Sequence, residues 1–162
     1  MKYYVSSDIH GFFDEWVKAL EEKGFDIKNP EHKIIVCGDL FDRGFQAKEL
    51  QAFILELLKK DKVVLIKGNH DRSRSLYLDA GFQDVMNEFV LHPGQAGNKK
   101  TILFCHKPRI GIRGDVANIH GHIHEQTLDP TIFELENYFN VSVENINYTP
   151  IDLQEIIKRK GW

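Results

Sequence analysis

The stretch HKIIVCGDLFDRG, residues 32–44, joins a short apolar run to a polar turn that carries two aspartates and an arginine. The apolar run is rich in β-branched side chains and is followed by glycine, a pattern typical of a buried strand and the turn after it. The same arrangement occurs in KYYVSSDIHG at 2–11 and in KVVLIKGNHD at 62–71. These stretches predict three strands that each lead into a polar turn, and the third strand is expected to be buried on both faces.

The segments between and after these strands complete the predicted fold. Helical spacing of apolar residues predicts one helix from Phe13 and a second with Leu50, Phe53, Ile54, Leu57 and Leu58 on one face. A short helix is predicted around 73–80. Beyond residue 84, VMNEFVLHP, KTILFCH, ANIHG and FNVSVENIN are strand-like, and DLQEIIKR is a helix with Asp152 as its N-cap. The order predicts an α/β (α+β) domain of two sheets packed face to face with helices outside.

Bulk properties limit the class of protein. A chain of 162 residues fits a single domain, 1–162, and the net charge of −3 gives no argument for nucleic-acid binding. No apolar run reaches the roughly 20 residues that span a bilayer, and the N-terminus lacks signal-peptide features, so the expected location is the cytoplasm, with no membrane partner. The two cysteines, Cys37 and Cys105, are expected to be buried reduced thiols.

Polar side chains are concentrated at the ends of five predicted strands. They are Asp8 and His10; Asp39, Asp42 and Arg43; Asn69, His70 and Asp71; His106; and His122 and His124. Ligands of α/β sheets bind beyond the carboxyl ends of the strands, so we expect these turns to converge. Residues two apart in extended chain point the same way, which would aim each DxH or HxH pair at one place. Glycines at 11, 38, 68 and 121 would let the backbone turn beside crowded side chains.

The donor types indicate a metal centre. Carboxylate, imidazole and amide donors without thiolate suit manganese, iron or zinc better than a structural sulfur site. Seven of these donors exceed the needs of one tetrahedral ion and suit two ions about 3.5–4 Å apart, with Asp39 as a natural bridge. The seven are Asp8, His10, Asp39, Asn69, His106, His122 and His124. Each motif taken alone also has a structural interpretation. Residues 8–10 could be a capping aspartate with a surface histidine, and residues 38–44 could be a charged turn. His120, which alternates away from His122, is expected to be a structural strand residue.

The motifs DIH, GDLFDR, GNHD, CH and GHIH, in this order over residues 8–124, resemble those of the calcineurin-like metallophosphoesterases. The tail FNVSVENINYTPIDLQEI is similar to the end of small single-domain bacterial and phage members. The resemblance therefore covers nearly the whole chain. It implies a four-layer αββα sandwich, and a chain of this length has no room for the cap domain that family nucleases carry.

The resemblance also implies roles for individual residues. The first metal would be held by Asp8, His10, Asp39 and His124, and the second by Asp39, Asn69, His106 and His122. Asp39 would bridge the two ions. His70 would be the proton donor, Asp42 the carboxylate that orients it, and Arg43 a phosphate contact. Asn69 and His70 would face the substrate, and Asp71 would either cap the following helix or support a ligand.

The function expected from this resemblance is a metal-dependent phosphoric ester hydrolase, a phosphatase or a phosphodiesterase. It would use two divalent ions, with manganese favoured over iron or zinc, and in-line attack by a metal-bridging hydroxide. The cations Lys107, Arg109 and Arg113 near a small open site predict a compact phosphorylated substrate, with Arg109 in contact with it. The alternative is a non-enzymatic scaffold of the same fold that binds proteins, although such members usually lack the acid histidine or several ligands.

Overall fold

The computed structural model describes residues 1–71 and 85–162. In those ranges the strands are β1 Lys2–Ser6, β2 His32–Val36, β3 Val63–Ile66, β4 Val85–Met86, β5 Glu88–Leu91, β6 Thr101–Cys105, β7 Val116–His120, β8 Tyr138–Asn140 and β9 Ile151–Asp152. The helices there are α1 Phe13–Glu22, α2 Ala47–Lys59 and α3 Leu153–Lys160. The predicted helix at 73–80 lies outside the described residues.

The strands form two sheets. The first has the order β4-β3-β2-β1-β9, in which β1 to β4 are parallel and β9 is antiparallel to β1. The second has the order β5-β6-β7-β8, in which β6, β7 and β8 are parallel and β5 is antiparallel. Only Asn87 separates β4 from β5, so the chain passes directly from one sheet to the other. Two sheets with three helices in the described ranges confirm the predicted α/β sandwich class.

Strand alternation divides the apolar side chains between two cores. In β1, Tyr4 packs into one apolar cluster and Val5 into the other, because successive side chains point to opposite faces. The β3 strand is buried along its whole length, as predicted. The outer cluster holds the inward faces of α1 and α2, including Trp16 and Leu50. These helices therefore cover the outer face of the first sheet.

The second cluster lies between the two sheets. Ile35 of the first sheet and Phe104 and Ile119 of the second belong to it, and all three are fully buried. Helix α3 adds Ile156 and Ile157 to the same cluster. Its N-cap is Asp152, whose carboxylate accepts a hydrogen bond from the backbone of residue 154, which confirms the predicted cap.

Both cysteines are buried and reduced, as predicted. Burial raises the pKa of the Cys37 thiol well above its usual value, and burial also raises the pKa of Cys105. Each thiol is therefore a poor nucleophile, because only the thiolate reacts readily.

One predicted strand was partly wrong. The strand expected across residues 139–147 ends at Asn140, and a 3-10 helix, Val143–Ile146, follows. The Asn140 side chain accepts a hydrogen bond from the Ser142 backbone N–H and turns the chain.

No helix in the described ranges has both the length and the apolar character that crossing a bilayer requires.

Candidate metal centre

The parallel strands place the polar turns at one edge of the sandwich. β1, β2 and β3 run parallel, so the turns that follow them with Asp8, Asp39 and Asn69 emerge side by side. β6 and β7 likewise lead into the turns that carry His106 and His122. The turn after β1 also forms an isolated parallel bridge between Ser7 and Ser142, which ties it to the segment after β8.

The backbone of this edge is kinked rather than extended. Asp8, His10, Asp39, His122 and His124 all have left-handed conformations, with φ between +48° and +71°. The expectation that Asp8 and His10, or His122 and His124, converge through extended chain was therefore wrong. They converge because every second residue is in a left-handed kink, which costs roughly 1–2 kcal/mol for each non-glycine residue. Such strain persists only where surrounding contacts hold it, and it is concentrated at functional sites.

The four glycines of these turns act in two different ways. Gly11 and Gly38 have φ of +77° and +94°, so they supply sharp turns. Gly68 and Gly121 instead leave space, because a Cβ at Gly68 would overlap the Asp39 carboxylate. A Cβ at Gly121 would overlap both the Ser7 hydroxyl and the Asp8 carboxylate.

Substitution of Gly121 by alanine is expected to weaken metal binding about 10- to 100-fold, the usual range when a ligand is displaced from its supporting contacts. The added methyl group would push the Asp8 carboxylate aside. Calorimetric titration with Mn²⁺ measures the effect. Gly94→Ala is the control for general damage, since alanine is strained there by a φ of +85° although a Cβ meets nothing within 4 Å. Equal affinities in the two variants would contradict this role of Gly121.

A first group of possible ligands consists of Asp8, His10 and His124, whose donor atoms all lie within 4.8 Å of one another. The Oδ1 atom of Asp8 is 3.9 Å from His10 Nε2 and 3.8 Å from His124 Nε2. The other carboxylate oxygen of Asp8 accepts hydrogen bonds from the Ser142 hydroxyl at 2.9 Å and the His122 backbone N–H at 3.1 Å. One carboxylate oxygen thus holds Asp8 in place, and the other oxygen faces His10 and His124.

A second group consists of Asp8, Asp39 and His106 under the same distance limit. Asp39 Oδ2 lies 3.3 Å from His106 Nε2, and its Oδ1 accepts the His70 backbone N–H at 2.9 Å. Two further predicted ligands adjoin this group, since His106 Nε2 is 2.7 Å from Asn69 Oδ1 and 3.2 Å from His122 Nδ1. Asp8 is common to both groups, and bridging by Asp39 stays a prediction.

The electrostatics of the second group match its geometry. Burial alone would raise the pKa of Asp39, but His106 and His70 together outweigh it and hold that pKa below its usual value. For His106, burial alone would lower the pKa, and the Asp39 carboxylate reverses this so that the pKa is raised. Burial and the neighbouring His106 hold the pKa of His122 below its usual value. His122 is thereby kept neutral, the form that binds metals.

Three buried atoms of these groups lack a hydrogen-bond partner among the described residues: Asp8 Oδ1, His10 Nε2 and Asp39 Oδ2. Buried polar atoms without partners are costly and rare in folded proteins. All three belong to residues of the two groups, and oxygen and imidazole nitrogen are donors that Mn²⁺, Fe²⁺ and Zn²⁺ accept. The residues present therefore fit divalent cations.

A second network lies beside the first group. The Asp42 carboxylate contacts His10 Nδ1 at 2.5 Å through one oxygen and His70 Nδ1 at 2.8 Å through the other. The Arg43 guanidinium is 3.4 Å from His70 Nε2. His70 and Arg43 are partly exposed, whereas His10 is buried. Asp42 therefore links a candidate ligand to a histidine that solvent and substrate can reach.

Asp71 supports the turns from behind. Its carboxylate accepts backbone N–H groups of Asp39, Leu40 and Gly68 at 3.0, 3.2 and 2.7 Å, and the residue is only 5% exposed. Of the two roles considered for Asp71, these contacts favour support of the ligand-bearing turns. The predicted helix that it would otherwise cap lies outside the described residues.

Sequence reasoning missed Glu144 and Ser142. Glu144 Oε1 lies 2.9 Å from His124 Nδ1, and a carboxylate on the second nitrogen of a ligand histidine fixes its orientation. No spacing signal identifies either residue, because both lie in the segment that was predicted as strand. His120 is a structural residue as expected: it is buried, its Nδ1 is 2.9 Å from the Gly121 carbonyl, and burial lowers its pKa to about 4.

The three cations expected near the site, Lys107, Arg109 and Arg113, do not form one group. Arg109 lines a small cavity beside Asn69 and His106, but its guanidinium is paired with Glu88. Lys107 lines the same cavity, whereas Arg113 is paired with Glu134. Contact of Arg109 with a substrate stays a prediction, and it would compete with Glu88.

Curated relatives match part of the chain. The asymmetrical bis(5'-nucleosyl)-tetraphosphatase PrpE of Bacillus velezensis is 32% identical over 93 residues, which is 54% of this chain and 37% of that protein. The symmetrical bis(5'-nucleosyl)-tetraphosphatase of Buchnera aphidicola is 32% identical over 104 residues, 64% of this chain and 31% of that protein. The chain thus spans about a third of the length of these relatives.

Solved structures share the fold. A phosphoesterase of Escherichia coli, Yfce, has a TM-score of 0.57 at 16% identity, covering 88% of this chain and 78% of that one. A protein of unknown function from Aquifex aeolicus, AQ665, has a TM-score of 0.56 at 23% identity and covers 98% of each chain. The family model for calcineurin-like phosphoesterases matches residues 1–155. Since that match takes in every turn of the candidate centre, the chain belongs to the calcineurin-like phosphoesterase family.

Proposed function

We propose that this protein hydrolyses a phosphomonoester or phosphodiester by in-line displacement at a centre of two divalent cations. The observation that carries the proposal is the pair of largely buried ligand groups that share Asp8 and present three donor atoms without a hydrogen-bond partner among the described residues. The partly exposed His70, held by Asp42, lies next to these groups and supplies a candidate acid.

Cations held there would neutralise the anionic oxygens of a phosphate and acidify water as the nucleophile. Among the described residues, Arg43 is the cation in contact with the proposed acid, and its planar guanidinium can hold two phosphate oxygens at once. It lies 3.8 Å from Asp42 and 3.4 Å from His70, on the same side as that acid. Arg43 would therefore orient the phosphate relative to His70.

Departure of the alkoxide requires a proton, which protonated His70 would supply. The Asp42 carboxylate at 2.8 Å from Nδ1 holds the proton on that nitrogen and leaves Nε2 directed toward Arg43. This division of roles needs no covalent intermediate, so no serine or cysteine nucleophile is required.

The substrate is proposed to be small. The relatives are named for nucleosyl tetraphosphates, which supports a nucleotide-type phosphate compound here. We also propose that residues 1–162 form one domain. Among the described residues, Arg43 and His70 at the metal edge are both partly exposed.

The proposal is tested with purified protein freed of metal by chelation and resupplied with Mn²⁺, Fe²⁺ or Zn²⁺. Turnover of p-nitrophenyl phosphate or its bis ester is expected only with metal, and manganese is expected to give the highest rate. The same ions should raise the thermal midpoint, since a ligand that binds only the folded state stabilises it. Metal binding without hydrolysis of any phosphorylated compound in a metabolite screen would contradict the proposed activity.

A further inference from the structure

A cavity of about 380 Å³ adjoins the first ligand group. Asp8 and His10 form part of its wall, so the cavity is continuous with the proposed reaction centre. Its size lies within the range of roughly 300–1,000 Å³ that is usual for small-molecule sites. Whatever part of a substrate extends from the phosphate on this side would enter it.

Aromatic rings provide the apolar walls of this cavity. Phe12 and Tyr148 line it and are 44% and 59% exposed, and the buried Trp16 also lines it. Tyr148 is held in place by its own backbone, with φ of +53° and its N–H donated to the Val143 carbonyl at 2.7 Å. A bulky residue in that conformation is strained, and such strain is typical of ligand-binding positions.

The charged groups of the wall are mostly negative. Glu15 and Glu144 line the cavity with Asp8, and Arg43 is the one cation among the described residues that do so. Carboxylates repel phosphate, so the cavity suits the uncharged part of a substrate rather than a second phosphate. Glu144 Oε2 is buried and has no hydrogen-bond partner among the described residues, which leaves an unpaired acceptor in this wall.

We propose that this cavity binds the nucleoside of the substrate, with its base against Phe12 and Tyr148. This assignment rests on the proposed function, because it takes the phosphate to lie at the metal centre. A planar heteroaromatic base stacks on exposed aromatic rings, and its sugar hydroxyls and amino groups are the donors that carboxylates accept. The uncharged, flat, donor-rich group that these walls fit is a nucleoside.

The test compares two phosphate compounds that differ only in the base. Manganese-loaded protein is titrated calorimetrically with adenosine 5'-monophosphate and with ribose 5-phosphate. The nucleotide is expected to bind at least about tenfold more tightly, in line with the contribution of one stacked base. In Phe12→Ala and Tyr148→Ala this preference should fall about tenfold, while affinity for ribose 5-phosphate stays the same.

Matched variants separate stacking from general damage. Tyr148→Phe and Phe12→Tyr keep the rings and should keep the preference. Phe45→Ala removes a phenylalanine that is 87% exposed but is not part of the cavity wall, and it should leave the preference unchanged. Equal affinity of the wild type for both compounds overturns the nucleoside site whether or not the protein hydrolyses an ester. A retained preference without hydrolysis contradicts only the proposed activity.

Discussion

Replacement of Asp39 by asparagine is expected to lower turnover of a phosphoric ester by on the order of a thousandfold, since metal ions contribute several kcal/mol of charge stabilisation and each 1.36 kcal/mol is tenfold in rate. Asp39 is 1% exposed, and its unpartnered oxygen lies in the second ligand group. An amide there is neutral and presents one oxygen instead of two, so we expect the second ion to be lost first.

Two measurements check this prediction: the metal content of the purified variant and its turnover at saturating Mn²⁺. Asp61→Asn is a close control, because Asp61 also has a left-handed backbone, with φ of +53° beside +54° for Asp39. Asp61 pairs with Lys33 at the surface, away from the centre. Any effect of asparagine on the left-handed conformation is therefore common to both variants. Full turnover by Asp39→Asn would contradict the proposed role of Asp39 in the reaction centre.

Replacement of His70 by asparagine is expected to lower kcat by about 10²- to 10⁴-fold for esters with basic leaving groups, the usual contribution of general acid catalysis. The loss should be much smaller for p-nitrophenyl esters, whose leaving group departs without a proton. His70 is reachable from solvent, and its Nδ1 is committed to Asp42, so its Nε2 is the atom available to a leaving oxygen.

The dependence on leaving group distinguishes proton donation from a structural role. A series of aryl and alkyl esters is compared in the wild type and in His70→Asn, with His92→Asn as a control at an exposed histidine. The metal content of His70→Asn should match that of the wild type. An equal loss for all leaving groups would contradict the role of His70 as the acid.

The strands and the convergence of the polar turns were predictable because both follow from local pattern. Apolar runs such as residues 34–37 can be satisfied only by burial, and the parallel order of β1, β2 and β3 then brings the turns to one edge. Donor type indicated metal only together with the placement of all five turns at strand ends, since each motif alone has a structural alternative.

Other features depend on contacts that no local pattern reports. The left-handed backbone of His122 and His124 is not predictable locally, because only a few per cent of non-glycine residues adopt positive φ, even though histidine is enriched among them. Glu144 and Ser142 reach the centre only because Asn140 turns the chain after β8. The segment after Asn140 was predicted as strand but contains a 3-10 helix, because long-range contacts override the β-propensity of its valines.

The candidate ligands come from both sheets, with Asp8, His10, Asp39 and Asn69 following strands of the first and His106, His122 and His124 following strands of the second. The chain joins the two sheets through Asn87, and the backbone bridge between Ser7 and Ser142 also ties them. A shift of one sheet against the other by one residue, about 3.3 Å, would separate the donors. An ion bound there would act as a non-covalent cross-link across the sandwich. Cation affinity would then report how well the two layers are docked, and loosening their shared apolar interior would release metal well before the chain unfolds.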